Sequence, residues 1–148
     1  MDGYTYCGTV EIKLIDKKTG NVNKRIIKNA YCLSAAKCTI YALTGLYTTY
    51  PITRVILFDS NKSPIKNITG SWGDYNESGT TVQCKFTAID NSDSEYTFRY
   101  LTLDRTYPEQ PSYFAGYFCN DQGQNVTKTS LQSLVVEWTI STTYSNPP

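Results

Sequence analysis

Apolar and polar residues alternate along much of this chain, and this period of two restricts its fold more than any other feature. The clearest case is residues 131–142, where an apolar set of side chains alternates with a second, mostly polar set: Leu134, Val136, Trp138 and Ile140 against Val135, Glu137, Thr139 and Ser141. Successive side chains of a β-strand point to opposite faces of a sheet. The pattern therefore predicts a final strand with one buried face and one face in water.

The same reasoning predicts strands earlier in the chain. Residues 10–14 alternate in the same way, and the turn signal of residues 16–21 separates them from the run 22–28. This arrangement indicates an opening hairpin. Further strands are predicted at residues 82–86, 96–103 and 113–119.

The middle of the chain contains two segments of opposite character. Residues 55–58, within the run 52–59, are continuously apolar. Strands that are covered on both faces lack alternation, so we expect this strand at the centre of the core. Residues 60–79 are dense in Asn, Ser, Gly and Pro, and we expect an exposed loop there with at most a short edge strand.

One segment follows a helical period. Its apolar residues recur at intervals of three and four: Leu33, Ala36, Ile40 and Leu43. With Ser34 as N-cap and Gly45 just past the last apolar residue, the spacing predicts a short α-helix over residues 34–44. A helix this short needs tertiary contacts, so we expect its apolar stripe to pack on the sheet.

Together these elements predict a mainly β protein, an antiparallel β-sandwich of jelly-roll type with one short helix. A chain of 148 residues is the size of one ordinary domain, so we expect a single domain over residues 1–148. Residues 144–148 are expected to form a short C-terminal tail, because the prolines in it do not extend a strand.

The chain has no histidine. This excludes mechanisms that need a histidine base and zinc sites with histidine ligands. Hydrolysis would then require paired carboxylates, and the pattern brings no two of the eligible residues together: Asp74, Glu77, Asp104 and Glu137. We therefore expect no enzymatic activity, no catalytic residues and no cofactor.

Two features of the sequence are candidate ion sites. Residues 90–95 carry six oxygen-bearing side chains in a row, but they lack the central glycine and the final glutamate of an EF-hand loop. A hairpin turn explains this run equally well and is the preferred interpretation. The five cysteines contain no C-x-x-C pair, so we expect no metal site.

The state of the cysteines is left open by the sequence. Buried thiols, one or two internal disulfides and a bridge between subunits are all compatible with this odd number of residues: Cys7, Cys32, Cys38, Cys84 and Cys119.

The charge pattern argues against a nucleic-acid partner. The net charge is +1, and the densest basic run holds only Lys24, Arg25 and Lys28. Nucleic-acid binding needs a larger cluster of Lys and Arg. No stretch approaches the about 20 apolar residues of a membrane span, and the first residues lack a signal-peptide pattern, so we also expect no membrane span.

Exposed Tyr and Trp residues are the usual anchors of protein interfaces, and they also stack on sugars. Six aromatic residues in predicted loops are candidates for such contacts, with folding back onto the core as the alternative: Tyr47, Tyr50, Trp72, Tyr75, Tyr107 and Tyr113. Four Asn-X-Ser/Thr motifs are either N-glycosylation sites or chance matches: Asn61, Asn67, Asn76 and Asn125.

The order of the elements resembles that of small structural proteins of tailed phages and archaeal viruses. In these proteins an opening hairpin precedes a Lys-Asn pair, a helix ending in Leu-x-Gly and a last strand of the type Val-x-Trp-x-Ile. The matching residues here are Lys28, Asn29, Leu43, Gly45, Val136, Trp138 and Ile140. The chain departs from the pattern after the apolar strand, where a glycine is usual and residues 59–61 read Asp-Ser-Asn.

This resemblance implies a β-sandwich that assembles as rings, tubes or spikes on the virion. We therefore predict a non-enzymatic virion structural protein that self-assembles as a homo-oligomer or docks to other virion proteins at the tail, vertex or portal. The alternative is a carbohydrate- or receptor-binding module whose loop aromatics stack on host-surface glycans.

Overall fold

The computed structural model of the 148-residue chain describes residues 3–29, 40, 43–45, 51–105 and 118–145. These residues form eight strands: β1 (Gly3–Asp16), β2 (Val22–Asn29), β3 (Ile52–Phe58), β4 (Pro64–Ser78), β5 (Thr81–Asp90), β6 (Tyr96–Arg105), β7 (Phe118–Lys128) and β8 (Gln132–Ser145). All strand pairs are antiparallel. The predicted mainly β, antiparallel class is confirmed.

The strands form one continuous sheet in the order β2-β1-β8-β5-β4-β3-β6-β7. Its two end strands come together, because Arg25 of β2 donates a hydrogen bond to the backbone carbonyl of Gln122 in β7. The sheet is therefore nearly closed and barrel-like. It is not divided into the two separate sheets that a sandwich or jelly roll requires, so that finer part of the prediction is not confirmed.

Strand β4 is the reason that the sheet stays continuous. Its first part, up to Thr69, pairs with β3, and its second part, from Gly70 to Ser78, pairs with β5. The prediction of an exposed loop over residues 60–79 was wrong. Only Ile68 of β4 is buried, so a polar composition is compatible with a strand whose backbone is paired and whose side chains face water.

The inward faces of six strands form one apolar core: Val10, Ile12, Leu14, Val55, Leu57, Ile68, Phe86, Ala88, Phe98, Leu101, Leu103, Leu134, Val136 and Trp138. This list confirms the inward-facing apolar sets predicted for β1 and β8, although Val135 on the opposite face of β8 is also buried. Ile56 and Phe58, on the other face of β3, are also fully buried. The prediction that this apolar strand is covered on both faces is confirmed.

The helix predicted over residues 34–44 lies almost wholly outside the described residues. Ile40, Leu43 and Thr44 have helical backbone, and the Thr44 hydroxyl donates to the Ile40 carbonyl at 2.8 Å. Ile40 and Leu43 are exposed, so the expected packing of these two side chains on the sheet is not seen. The described ranges contain no complete helix. They therefore contain no helix that is long and apolar enough to cross a membrane.

Two strand boundaries also differ from the prediction. The strand expected at 113–119 belongs to β7, which runs on to Lys128, while residues 113–117 lie outside the described part of the chain. Strand β8 continues to Ser145 and so includes the first two residues of the predicted tail. Its ladder with β1 extends to that end, and this pairing overrides the local composition.

Gly70, where β4 changes partner, has no room for a side chain. A Cβ atom there would lie 2.3 Å from the Thr87 carbonyl oxygen and 2.7 Å from the Phe86 ring, whereas one at Gly73 would meet nothing within 4 Å. We expect Gly70→Ala to lower the free energy of unfolding by about 2 kcal/mol through overpacking, and Gly73→Ala to have little effect. Urea denaturation of both variants checks this, and equal effects would contradict it.

Candidate functional site: an aromatic groove

An open groove of about 360 Å³ lies at the end of the barrel formed by β4, β5 and β8. We call it the aromatic groove, and its lining residues are Trp72, Tyr75, Val82, Gln83, Cys84, Ile140 and Thr142. In the register of β5, Val82 and Cys84 lie on the same face as the buried Phe86. The groove is therefore the continuation of the inward face of the sheet, past the point where the core ends.

Trp72 forms one side of the groove and is held firmly. Its ring packs edge-on against Phe86, with 5.3 Å between ring centroids. Its Nε1 atom donates to the backbone carbonyl of Ile52 at 3.1 Å. The side chain is still 38% exposed, so it presents a fixed apolar surface to the solvent.

Tyr75 lies beside Trp72 and is the most exposed part of the groove, at 65%. The ladder between β4 and β5 shifts register between Gly73 and Asn76, and Asp74 in this bulge has a φ of 54°. The Tyr75 hydroxyl donates to the Glu77 carboxylate at 2.5 Å, and this bond raises the pKa of the phenol. A bulge of this kind re-aims a side chain.

Three polar side-chain groups of the groove already have partners within the chain. The Cys84 thiol is free and donates to the Gly73 carbonyl at 3.3 Å. The Trp72 indole and the Tyr75 hydroxyl are bonded as described above. The rest of the lining consists of the apolar surface of the two rings, Val82 and Ile140, together with the side chains of Gln83 and Thr142.

The structure brings together two of the six predicted aromatic candidates. Trp72 and Tyr75 share the groove, although both lie on a strand and not in the predicted loop. The other four lie outside the described residues: Tyr47, Tyr50, Tyr107 and Tyr113. Sequence reasoning missed Val82, Cys84 and Ile140, because their place in the groove depends on the pairing of β5 with β8.

The four Asn-X-Ser/Thr motifs are all on the surface, and each asparagine is exposed: Asn61, Asn67, Asn76 and Asn125. Their use as glycosylation sites stays a prediction. Of the five cysteines, only the side chain of Cys84 is described, so the predicted alternatives for Cys7, Cys32, Cys38 and Cys119 fall outside the described part of the chain.

The carboxylates considered for catalysis contact cations or a hydroxyl. Asp104 lies 3.3 Å from the Arg54 guanidinium, and Glu77 accepts from Tyr75. Glu137 and Asp74 both lie against Lys85.

These last contacts belong to an ion-pair row across the outer face of five strands: Lys24, Glu11, Lys13, Glu137, Lys85 and Asp74. The expected position of Glu137 on the outer, solvent-facing side of β8 is confirmed. The described residues contain no cluster of His, Cys, Asp and Glu that could hold a metal ion.

The run 90–95, the candidate calcium site, begins with the last residue of β5 and leads to β6. The preferred interpretation as a hairpin turn was wrong, because β5 and β6 are not neighbours in the sheet. The fully buried Lys128 ammonium lies at the centre of this run and donates to the carbonyls of Ser92 and Ser94, both at 2.8 Å, and of Thr129 at 3.2 Å. Burial lowers the pKa of this lysine. Backbone carbonyls of this run and of Thr129 thus already bind a cation of the chain itself, the Lys128 ammonium.

Lys128→Met keeps the length of the side chain but removes the three hydrogen bonds, so the carbonyls of Ser92, Ser94 and Thr129 lose this donor. We expect the free energy of unfolding to fall by about 3 kcal/mol. Lys17→Met is the matched control, because Lys17 contacts the same connection from an exposed position and should contribute under about 1 kcal/mol. Denaturant titration of both variants measures the difference, and similar losses would argue against a buried ammonium.

Asp90, the last residue of β5, is almost fully buried. Burial alone would raise its pKa, but hydrogen bonds from Ser92 and from the Tyr96 hydroxyl, with Lys66 at 3.9 Å, outweigh it and lower the pKa from 3.8 to about 2. For Tyr96, burial and the bond to Asp90 both raise the pKa. The carboxylate is therefore ionised in the folded protein at any ordinary pH.

A carboxylate whose pKa is lower in the folded state stabilises the fold above its unfolded pKa, and this contribution is lost as the pH falls through its folded pKa. We expect Asp90 to contribute about 2 kcal/mol at pH 5, and to lose it between about pH 4 and pH 2. The difference in unfolding free energy between wild type and Asp90→Asn, measured across this range, isolates the effect. A difference that does not change with pH would refute it.

No protein-family model, curated protein or solved structure matches this chain.

Proposed function

We propose that this chain is a non-enzymatic structural protein of a virion, and that it self-assembles by placing an apolar part of a second copy in the aromatic groove. The observation that carries the proposal is the pairing of a fixed, partly exposed Trp72 with the exposed Tyr75 in one apolar groove. Rigid aromatic anchors with little side-chain freedom to lose are typical of protein interfaces. The virion setting comes from the resemblance described above.

The bonding of the groove favours a protein partner over a sugar. A sugar ring stacks on an aromatic face, but its hydroxyls also need hydrogen-bonding groups. In the groove, the Trp72 N–H, the Cys84 thiol and the Tyr75 hydroxyl are already engaged within the chain, so that Gln83 and Thr142 supply the other polar side chains of the lining. An apolar side chain from a protein leaves these bonds intact and buries the ring surfaces.

The charge balance favours a second copy of this chain as the partner. The net charge is +1, and the ion-pair row on the outer face combines three lysines with three carboxylates. Copies of a chain with a large net charge repel one another. This chain has little such repulsion to overcome.

Light scattering after size exclusion, over a range of concentrations, tests the proposal. We expect wild-type protein to associate, and Tyr75→Ala and Trp72→Ala to weaken association by about tenfold or more. Leu131→Ser is the matched control, because it removes an exposed apolar side chain from a turn away from the groove and should change nothing.

A wild-type protein that stays monomeric at high concentration, or groove variants that assemble as wild type does, would overturn self-assembly through the groove. The same variants decide the alternative function. Binding of wild type on a glycan array that is lost in Trp72→Ala, without any association of the chain, would replace the proposal with a glycan-binding module.

A further inference from the structure

A second cavity, of about 330 Å³, lies where the two end strands of the sheet meet. We call it the seam cavity. Its floor is apolar and is formed by Ile12, Leu14 and Val126, and its rim includes Arg25, Lys24 and Gln124. It shares no residue with the aromatic groove.

The seam cavity exists because β7 bulges. Tyr100 pairs with Asp121 and Phe98 with Val126, so residues 122–125 of β7 lie opposite Arg99 alone. Gly123, with a φ of 75°, turns the chain in this bulge. Asp121 fixes the bulge, because it accepts from the Gly123 N–H at 2.7 Å and from Arg99 at 3.0 Å. Bulges of this kind interrupt pairing and are frequent beside binding sites.

Arg25 is the unusual residue of the seam cavity. It pairs with Ile12, so it lies on the inward face of β2. Its guanidinium donates to the Gln122 carbonyl, yet its buried Nε atom has no hydrogen-bond partner, and no carboxylate pairs with it in the described part of the chain. A partly buried charge without a counter-ion is unfavourable, so this site attracts an anion.

We infer that the seam cavity binds a small carboxylate with an apolar tail, such as a medium-chain fatty acid. The carboxylate neutralises Arg25, whose planar guanidinium matches carboxylate geometry. The tail covers Ile12, Leu14 and Val126. The volume lies in the range of small-ligand pockets.

An added β-strand from another protein fits the seam less well. Strands in a sheet are about 4.8 Å apart, so an inserted strand needs a continuous gap of twice that width. Arg25 bridges β2 and β7 directly and interrupts such a gap. The ligand class is therefore a small molecule, and the inference does not depend on the proposed self-assembly.

Titration of the ¹⁵N-labelled chain with decanoate and with decanol, followed by NMR, tests the inference. We expect decanoate to shift the amide signals of residues 23–25 and 124–127, and to bind about tenfold more tightly than decanol, which lacks the charge. Arg25→Gln should weaken decanoate binding by about tenfold, while Arg25→Lys should retain part of it. Lys28→Gln, at an exposed position of the same strand, should change nothing.

Several results would overturn the inference. These are equal binding of decanoate and decanol, an unchanged affinity in Arg25→Gln, shifts confined to the aromatic groove, or no binding by wild type at millimolar decanoate. If Arg25→Gln does not fold, the comparison of the two ligands on wild type still decides, together with Gln124→Trp, which fills the exposed rim and should block binding. Trp72→Ala should leave decanoate binding intact, which separates this site from the proposed assembly surface.

Discussion

The rest of the barrel depends on the change of partner in β4. Between Thr69 and Gly70 the strand leaves its ladder with β3 and continues in a ladder with β5. This one strand links the β3-β6-β7 half of the sheet to the β5-β8-β1-β2 half. The Phe86 ring lies directly against Gly70, so the core packs against the backbone at the point where β4 changes partner. A side chain at this position would push the two halves apart.

One end of the barrel is covered by a connecting segment and the other is open to solvent, because the strands are unequal in length. At one end the connection between β5 and β6 folds around the buried Lys128 ammonium, and the polar backbone there is satisfied from within. At the other end β4 continues past the start of β3, and the inward face of β4, β5 and β8 reaches the solvent. Trp72 closes part of this opening through its bond to Ile52. The aromatic groove is what remains.

The local sequence was sufficient to predict a strand where its apolar pattern is clear, as in the alternating β1 and β8 and in β3, which is buried on both faces. It was insufficient for β4, because that strand is specified by pairing with distant segments and not by its own side chains. The candidates Trp72 and Tyr75 were found from residue type alone, whereas Val82 and Ile140 join them only through the register of three strands. The sequence does contain a signal for the buried Lys128. This residue stands two positions after Val126 on the same strand, so both side chains face inward, and a lysine there needs buried hydrogen-bonding partners.

The two edge strands of the sheet, β2 and β7, carry features that affect how copies of this chain can associate. Exposed edge strands tend to pair with other chains unless they carry lysines, bulges or cover. Strand β2 carries the exposed Lys24 and Lys28, β7 is bulged at residues 122–125, and Arg25 ties the two edges together. All three features oppose edge-to-edge pairing. The proposed self-assembly would therefore use a surface where side chains, and not backbone, are exposed, as in the aromatic groove with the rings of Trp72 and Tyr75.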